Sequence, residues 1–279
     1  MEYSYWQLQI YCGLSLISGQ DLAKLQQNAT KYAQRAMQHK QLTVANGIVT
    51  ILSAVLELTG DARSRDGAFE SMFNCTEDAL YQQLVSSNEE RAATLICNKG
   101  KIISILKGDI DGAVRYYYMG LKHPFGSRTT SINLIMGTFA DGLLAFICAQ
   151  KPGHDQKHWT SVGLAAIKQM KKWMLSSPWN FASKVYLLEA EAMFLKGNYE
   201  VVREKYDASI KAAHNHKFIH EEGLANALAA SFHLHHKREK EALKHFTQAK
   251  ECYERWGALA LVIGMDAEIG RLKYTQQFF

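Results

Sequence analysis

The sequence predicts an all-α fold: an α-solenoid of about six αα-hairpins with a C-terminal capping helix. Three observations lead there. Only 3 prolines occur in 279 residues, so the punctuation of loop-rich and all-β folds is missing. Apolar residues recur at three-to-four spacing along most of the chain, the period of a helix with one buried face. Turn signals return at Gly19, Gly60, Gly108, Gly153, Gly197 and Lys237, separated by 41, 48, 45, 44 and 40 residues. A near-constant interval of this size is what stacked helix pairs produce.

Taken in order, the hairpins are predicted over 3–18 with 21–39, 41–59 with 74–87, 89–107 with 109–122, 128–150 with 156–176, 181–196 with 198–216, and 219–236 with 238–255. A last helix over about 259–275 covers the open end. Ser18-Gly19-Gln20-Asp21, Lys107-Gly108-Asp109 and Lys196-Gly197-Asn198 each put glycine at a helix end, with Asp or Asn near the next N-cap. Pro178 separates two helices. Residues 61–73 are read as a polar connection, so the single helical-repeat domain 1–279 subdivides into blocks 1–60 and 74–279.

The packing chemistry is that of a tetratricopeptide-like superhelix. Gly108 is followed by Ala113 and Tyr117, Gly197 by Val202 and Tyr206, and Lys237 by Ala242, Phe246 and Ala249. Small side chains sit where paired helices approach, with an aromatic on the second helix. The interval exceeds the ~34 residues of strict tetratricopeptide repeats, and HEAT-type packing is the structural alternative.

Composition excludes several classes. Five widely spaced cysteines, Cys12, Cys75, Cys97, Cys148 and Cys252, form no C-x-x-C pair and read as reduced, mostly buried thiols of a cytoplasmic protein. Residues 1–6 lack the basic start of a signal peptide. The two greasiest segments, Val44–Leu58 and Ile132–Cys148, are interrupted by polar residues and read as buried helices, with no membrane partner. The net charge of +5 is scattered, so no nucleic-acid footprint is expected.

The stretch from Met170 to Ala258 resembles a known family. It reads Lys171-Lys172-Trp173, Ser177-Pro178-Trp179-Asn180-Phe181, Leu187-Leu188-Glu189-Ala190-Glu191, Gly197-Asn198-Tyr199, Tyr206-Asp207-Ala208-Ser209-Ile210, Phe218-Ile219-His220-Glu221-Glu222 and Cys252-Tyr253-Glu254-Arg255-Trp256-Gly257-Ala258. This is similar to the tetratricopeptide-like helical-repeat region of large multidomain signalling proteins. There, a kinase-like domain and an AAA-type ATPase of the STAND class precede the repeats, and a histidine kinase often follows. Val202 and Ser209 stand where that family carries alanine, and Lys237 where it carries glycine. The resemblance implies a scaffold that regulates the ATPase or kinase by binding a partner or ligand. No phosphate loop and no H-R-D motif is present.

No catalytic, cofactor or metal residues are assigned. Seven of eleven histidines fall between His214 and His245; His214, His216 and His220 read as solvated turn residues, one end of a helix away from His233, His235 and His236. Glu189, Glu191, Glu221 and Glu222 read as hydrogen-bond partners between stacked helices, and Trp173, Trp179, Phe181, Tyr206 and Trp256 as packing. The expected function is a non-catalytic scaffold binding a protein segment or an adjacent ATPase or kinase domain along the first-helix face, with unidentified contact residues. The rival is a small-molecule-sensing superhelix that changes curvature, which a large apolar cavity on that face would favour.

Overall fold

A computed structural model of the chain describes residues 2–61, 64–122 and 132–278. Among these residues there are fourteen helices and no strand. They are α1 (Glu2–Ile17), α2 (Leu22–Gln38), α3 (Leu42–Thr59), α4 (Ser64–Phe73), α5 (Glu77–Ser86), α6 (Glu90–Leu106) and α7 (Ile110–Leu121), then α8 (Ile132–Ala149), α9 (Gln156–Ser176), α10 (Pro178–Phe194), α11 (Tyr199–His216), α12 (Ile219–His235), α13 (Glu239–Trp256) and α14 (Leu259–Phe278). The architecture is all-α and of the helical-repeat, solenoid type, with neighbouring helices packing in succession. It divides into two compact units, residues 1–137 and 138–279, each described in turn.

All six predicted turn positions take the left-handed backbone, from φ 72° at Gly60 to 88° at Gly153, and 57° at Lys237. Lysine tolerates that region less well than glycine. Its amide nonetheless closes the helix end by donating to the Leu234 carbonyl at 2.9 Å. Side-chain caps start the next helices: Asp21, Asp109, Asp155 and Asn198 accept from backbone amides of α2, α7, α9 and α11. Replacing Asp155 with alanine removes the 3.0 Å bond from the His158 amide. It is expected to cost about 1 kcal/mol in urea unfolding, while Asp155→Asn retains most of the stability.

In the first unit α3 is the central helix, packed by α1, α2, α4 and α6. That placement explains its greasiness: thirteen of its residues are buried, including Ile48, Ile51, Leu52 and Val55. By length and composition both α3 and α8 could cross a membrane. In α3 the apolar surface is used by four neighbouring helices. The stretch read as a polar connection differs from expectation, because α4 occupies Ser64–Phe73. Its apolar content is small but well placed: Ala68 and Phe69 are 2% and 0% exposed, and α4 packs on α3. Two buried positions give no periodic stripe for sequence reading to detect. The expected beginning of a helix at 128 lies outside the described residues.

In the second unit, α9, α10, α11, α12, α13 and α14 pack each on the next. Gly163 of α9 faces the Phe146 ring, and a Cβ there would lie 2.5 Å from it, so the two helices meet at a distance only glycine permits. Val202 and Ser209 sit on the packed face of α11. Both are buried, and the Ser209 hydroxyl donates to the Ser183 carbonyl at 2.8 Å. Phe232 centres an aromatic group with Phe194, edge-on at 5.1 Å, and Tyr199, stacked at 5.0 Å. The capping role of α14 is visible in Ile269 and Leu272, which pack with Ala230, Ala242 and Phe246.

Candidate functional site

Two features of residues 1–137 stand out: a buried ionic cluster and an apolar cavity beside it. The cluster begins with Lys99, which follows Ile96 by three and precedes Ile103 by four, on the buried stripe of α6. A lone ammonium at 3% exposure would be strongly destabilising. Its donors are instead accepted by Ser53 Oγ at 3.3 Å, Glu57 Oε1 at 3.2 Å and Glu77 Oε2 in a very short contact. Tyr116 donates its hydroxyl to Glu77 Oε1 at 2.8 Å, and Lys107 approaches Glu57 at 3.6 Å. Two cations thus face two carboxylates. Tyr116 reaches Glu77 across Gly100, where any Cβ would sit 2.5 Å from its ring. Glu77, fully buried, is fixed by starting α5 after the Thr76 cap and by donating its amide to Asp66 of α4 at 3.1 Å.

The cavity is half open to solvent and has a volume of about 730 Å³, within the range of small-molecule sites. Its walls come from α1, α3, α6 and α8, the first helices of the first four predicted hairpins. Trp6, Ile10, Ile51, Leu95, Ile102 and Met136 supply most of the apolar lining. Lys99 and Glu89 are its ionised residues, and Lys99 is fully engaged by the cluster. Gln9, also in the wall, lies flat against Gly47 and leaves its Oε1 buried with no hydrogen bond; Asn46 Oδ1 on the adjoining turn is likewise unpaired.

In the second unit the acidic residues are tied between helices. Glu191, 2% exposed, accepts from Tyr206 Oη at 2.6 Å and from Gln150 Nε2 at 2.8 Å. Burial raises its pKa against those two bonds, and burial also raises that of Tyr206. Glu189 lies 2.6 Å from both Lys171 and Lys205, which outweigh its desolvation and lower its pKa. Glu221 holds Ser183 and Lys184, and Glu222 lies 3.1 Å from His214.

The reading of the turn histidines as solvated requires correction. His214 is exposed, but His216 stacks on Trp179 at 4.2 Å and His220 packs on Trp256 at 5.3 Å. Desolvation lowers the His220 pKa to about 4. His233 stacks on His245 at 5.1 Å, and burial with the neighbouring His233 lowers His245 to about 4. The rings find apolar neighbours because the inter-hairpin turns are themselves packed by aromatics. Among the aromatics read as packing, Phe181, Tyr206 and Trp256 are buried, Trp173 is half-buried, and Trp179 stands 57% exposed. Four of the five cysteines are buried and Cys75 is half-buried, all as free thiols. Among the described residues no three His, Cys, Asp or Glu side chains gather as a metal site requires.

No family model, curated protein or solved structure matches this chain.

Proposed function

We propose that the chain is a non-catalytic helical-repeat binding module of the cytoplasm. It engages a protein segment, or an adjacent ATPase or kinase domain, on the first-helix side of residues 1–137. The observation that carries this is the apolar cavity walled by α1, α3, α6 and α8, with Trp6 and Ile10 at 44% and 49% exposure offering anchors to an incoming apolar side chain. Side chains held by a packed core recognise without much loss of conformational freedom, which favours affinity. The buried carboxylates support a non-catalytic role, since each is held by donors from a neighbouring helix. The resemblance over Met170–Ala258 supports a place in signal transduction, with the repeats regulating an ATPase or kinase.

The volume of the cavity favours a second reading beside the first: an effector of small size occupies it and alters the repeat packing. The docking reading is tested by selecting displayed peptides on the full chain and on an Ile10→Glu variant, whose exposed site tolerates the charge. Apolar peptides of micromolar affinity that bind the wild type and not the variant are expected. Selection of no peptide sensitive to Ile10→Glu contradicts that reading.

A further inference from the structure

We propose that the outer face of α9, together with the α9–α10 turn, docks on an anionic lipid surface. Lys157, Lys168 and Lys172 meet the headgroups, while Leu175 and Trp179 enter the interface. The surface belongs to the second unit and shares no residue with the cavity of residues 1–137.

The first observation is charge. Sorted by sign along the chain, the basic surplus is local, not scattered as expected from the residue counts. Residues 156–188 carry five lysines and no acidic residue, as many charges as the net +5 of the whole chain. Two of the five are compensated: Lys171 lies 2.6 Å from Glu189, and Lys184 is bonded to Glu221. Lys157, Lys168 and Lys172 are exposed, and no described carboxylate pairs with them. Along α9, Lys157, Leu164, Lys168 and Leu175 follow one another at intervals of seven, four and seven residues. Those intervals put them on one line about 27 Å long. It runs opposite Trp159, Ala166 and Met170, the buried face of the helix.

The second observation is exposed apolar surface on that same line. Leu164 is 53% exposed and Leu175 85%, the highest value for a large apolar side chain among the described residues. A side chain so open protrudes, and a bilayer interface receives it without the groove that a peptide needs. Trp179 follows across the turn, 57% exposed, its ring held by stacking on His216 at 4.2 Å. Tryptophan favours the boundary between headgroups and acyl chains, and lysine reaches from there to the phosphates. The cytoplasmic leaflet carries the anionic lipids that attract such lysine clusters. Nucleic acid fits less well. The segment has no arginine for bidentate phosphate contact, and exposed leucine gains little against phosphate and sugar.

The test is cosedimentation of the full chain with phosphatidylcholine vesicles, either pure or containing roughly one-third phosphatidylserine. Binding to the anionic vesicles is expected at roughly submillimolar lipid, at least about tenfold weaker on pure phosphatidylcholine, and weaker as salt is raised. Lys168→Gln with Lys172→Gln is expected to weaken binding about twentyfold, and Leu175→Ser about fivefold or more. All three side chains are exposed, so melting temperatures are expected to stay at the wild-type value. Lys240→Gln with Lys244→Gln removes the same charge from exposed positions on α13 and is expected to change binding by less than about twofold. Ile10→Glu, which disables the docking site proposed for residues 1–137, is expected to bind vesicles as the wild type does. No binding to anionic vesicles, equal binding to both compositions, or equal losses from the α9 and α13 pairs overturns the proposal. Loss of vesicle binding in Ile10→Glu also overturns it, by moving the contact to α1. Capture of a single-stranded oligonucleotide or of polyglutamate through Lys168 and Lys172, with vesicles ignored, overturns it in favour of that partner.

Discussion

Replacing Lys99 with methionine is expected to lower the unfolding free energy by about 3–5 kcal/mol, the usual cost of leaving a buried charge without its partner. Methionine matches the volume and apolar stem of lysine, so packing changes little. The penalty arises at Glu77, which is fully buried and would keep only the Tyr116 hydroxyl and its more distant neighbours. Adding Glu77→Gln to Lys99→Met is therefore expected to restore at least half of the loss, because it removes the orphaned charge. Urea titrations of the wild type, both single variants and the double variant check this. A double variant as unstable as the sum of the two singles would show that lost packing, and not uncompensated charge, dominates at this cluster.

Acidification is expected to destabilise the second unit through His220. Above about pH 6.5 the ring is neutral in both folded and unfolded chains. As the pH falls from there toward about 4, the unfolded chain takes up a proton and the folded chain does not, so stability falls across that window. At 18% side-chain exposure the contribution is about 2–3 kcal/mol. Glu191 acts in the opposite sense: its raised pKa lets the folded chain take up a proton first, adding stability as the pH falls. The His220→Phe variant separates the two. It keeps a ring against Trp256, removes the unpaired Nδ1, and is expected to lose about 2–3 kcal/mol less than wild type between about pH 7 and pH 4. Identical pH profiles for wild type and variant would contradict this assignment.

The repeat architecture was legible because it rests on local signals. Six turn positions, from Gly19 to Lys237, were marked by glycine or by a polar break, and all six adopt the positive φ that such a turn needs. Helix α4 was not legible, since among its described side chains Ala68 and Phe69 are the buried ones and two positions make no stripe. The ionic cluster was missed for a related reason. Ser53, Glu57, Glu77 and Lys99 come from three helices, and Glu77-Asp78 reads as an ordinary acidic helix start. One sequence signal was present: Lys99 interrupts the Ile96–Ile103 stripe on the face that should be apolar. The cavity left no local signature, because its lining is drawn from four helices, α1, α3, α6 and α8, and only their placement together leaves a void. The histidines were misread because spacing along the chain reports the distance between turns, not what those turns pack against.

Among the described residues, the buried carboxylates Glu77, Glu191 and Glu221 are held by donors from neighbouring helices, and the apolar pocket lies on the first helices of residues 1–137. Methyl-resolved NMR of the full chain, titrated with the neutral apolar probe N-phenyl-1-naphthylamine, tests that pocket as the binding site most directly. The account predicts saturable shifts at Ile10, Ile51 and Ile102 in the cavity wall, with Ile210 and Ile269 of the second unit unmoved. Shifts centred on Ile210 or Ile269, or none at any of the five, would contradict it.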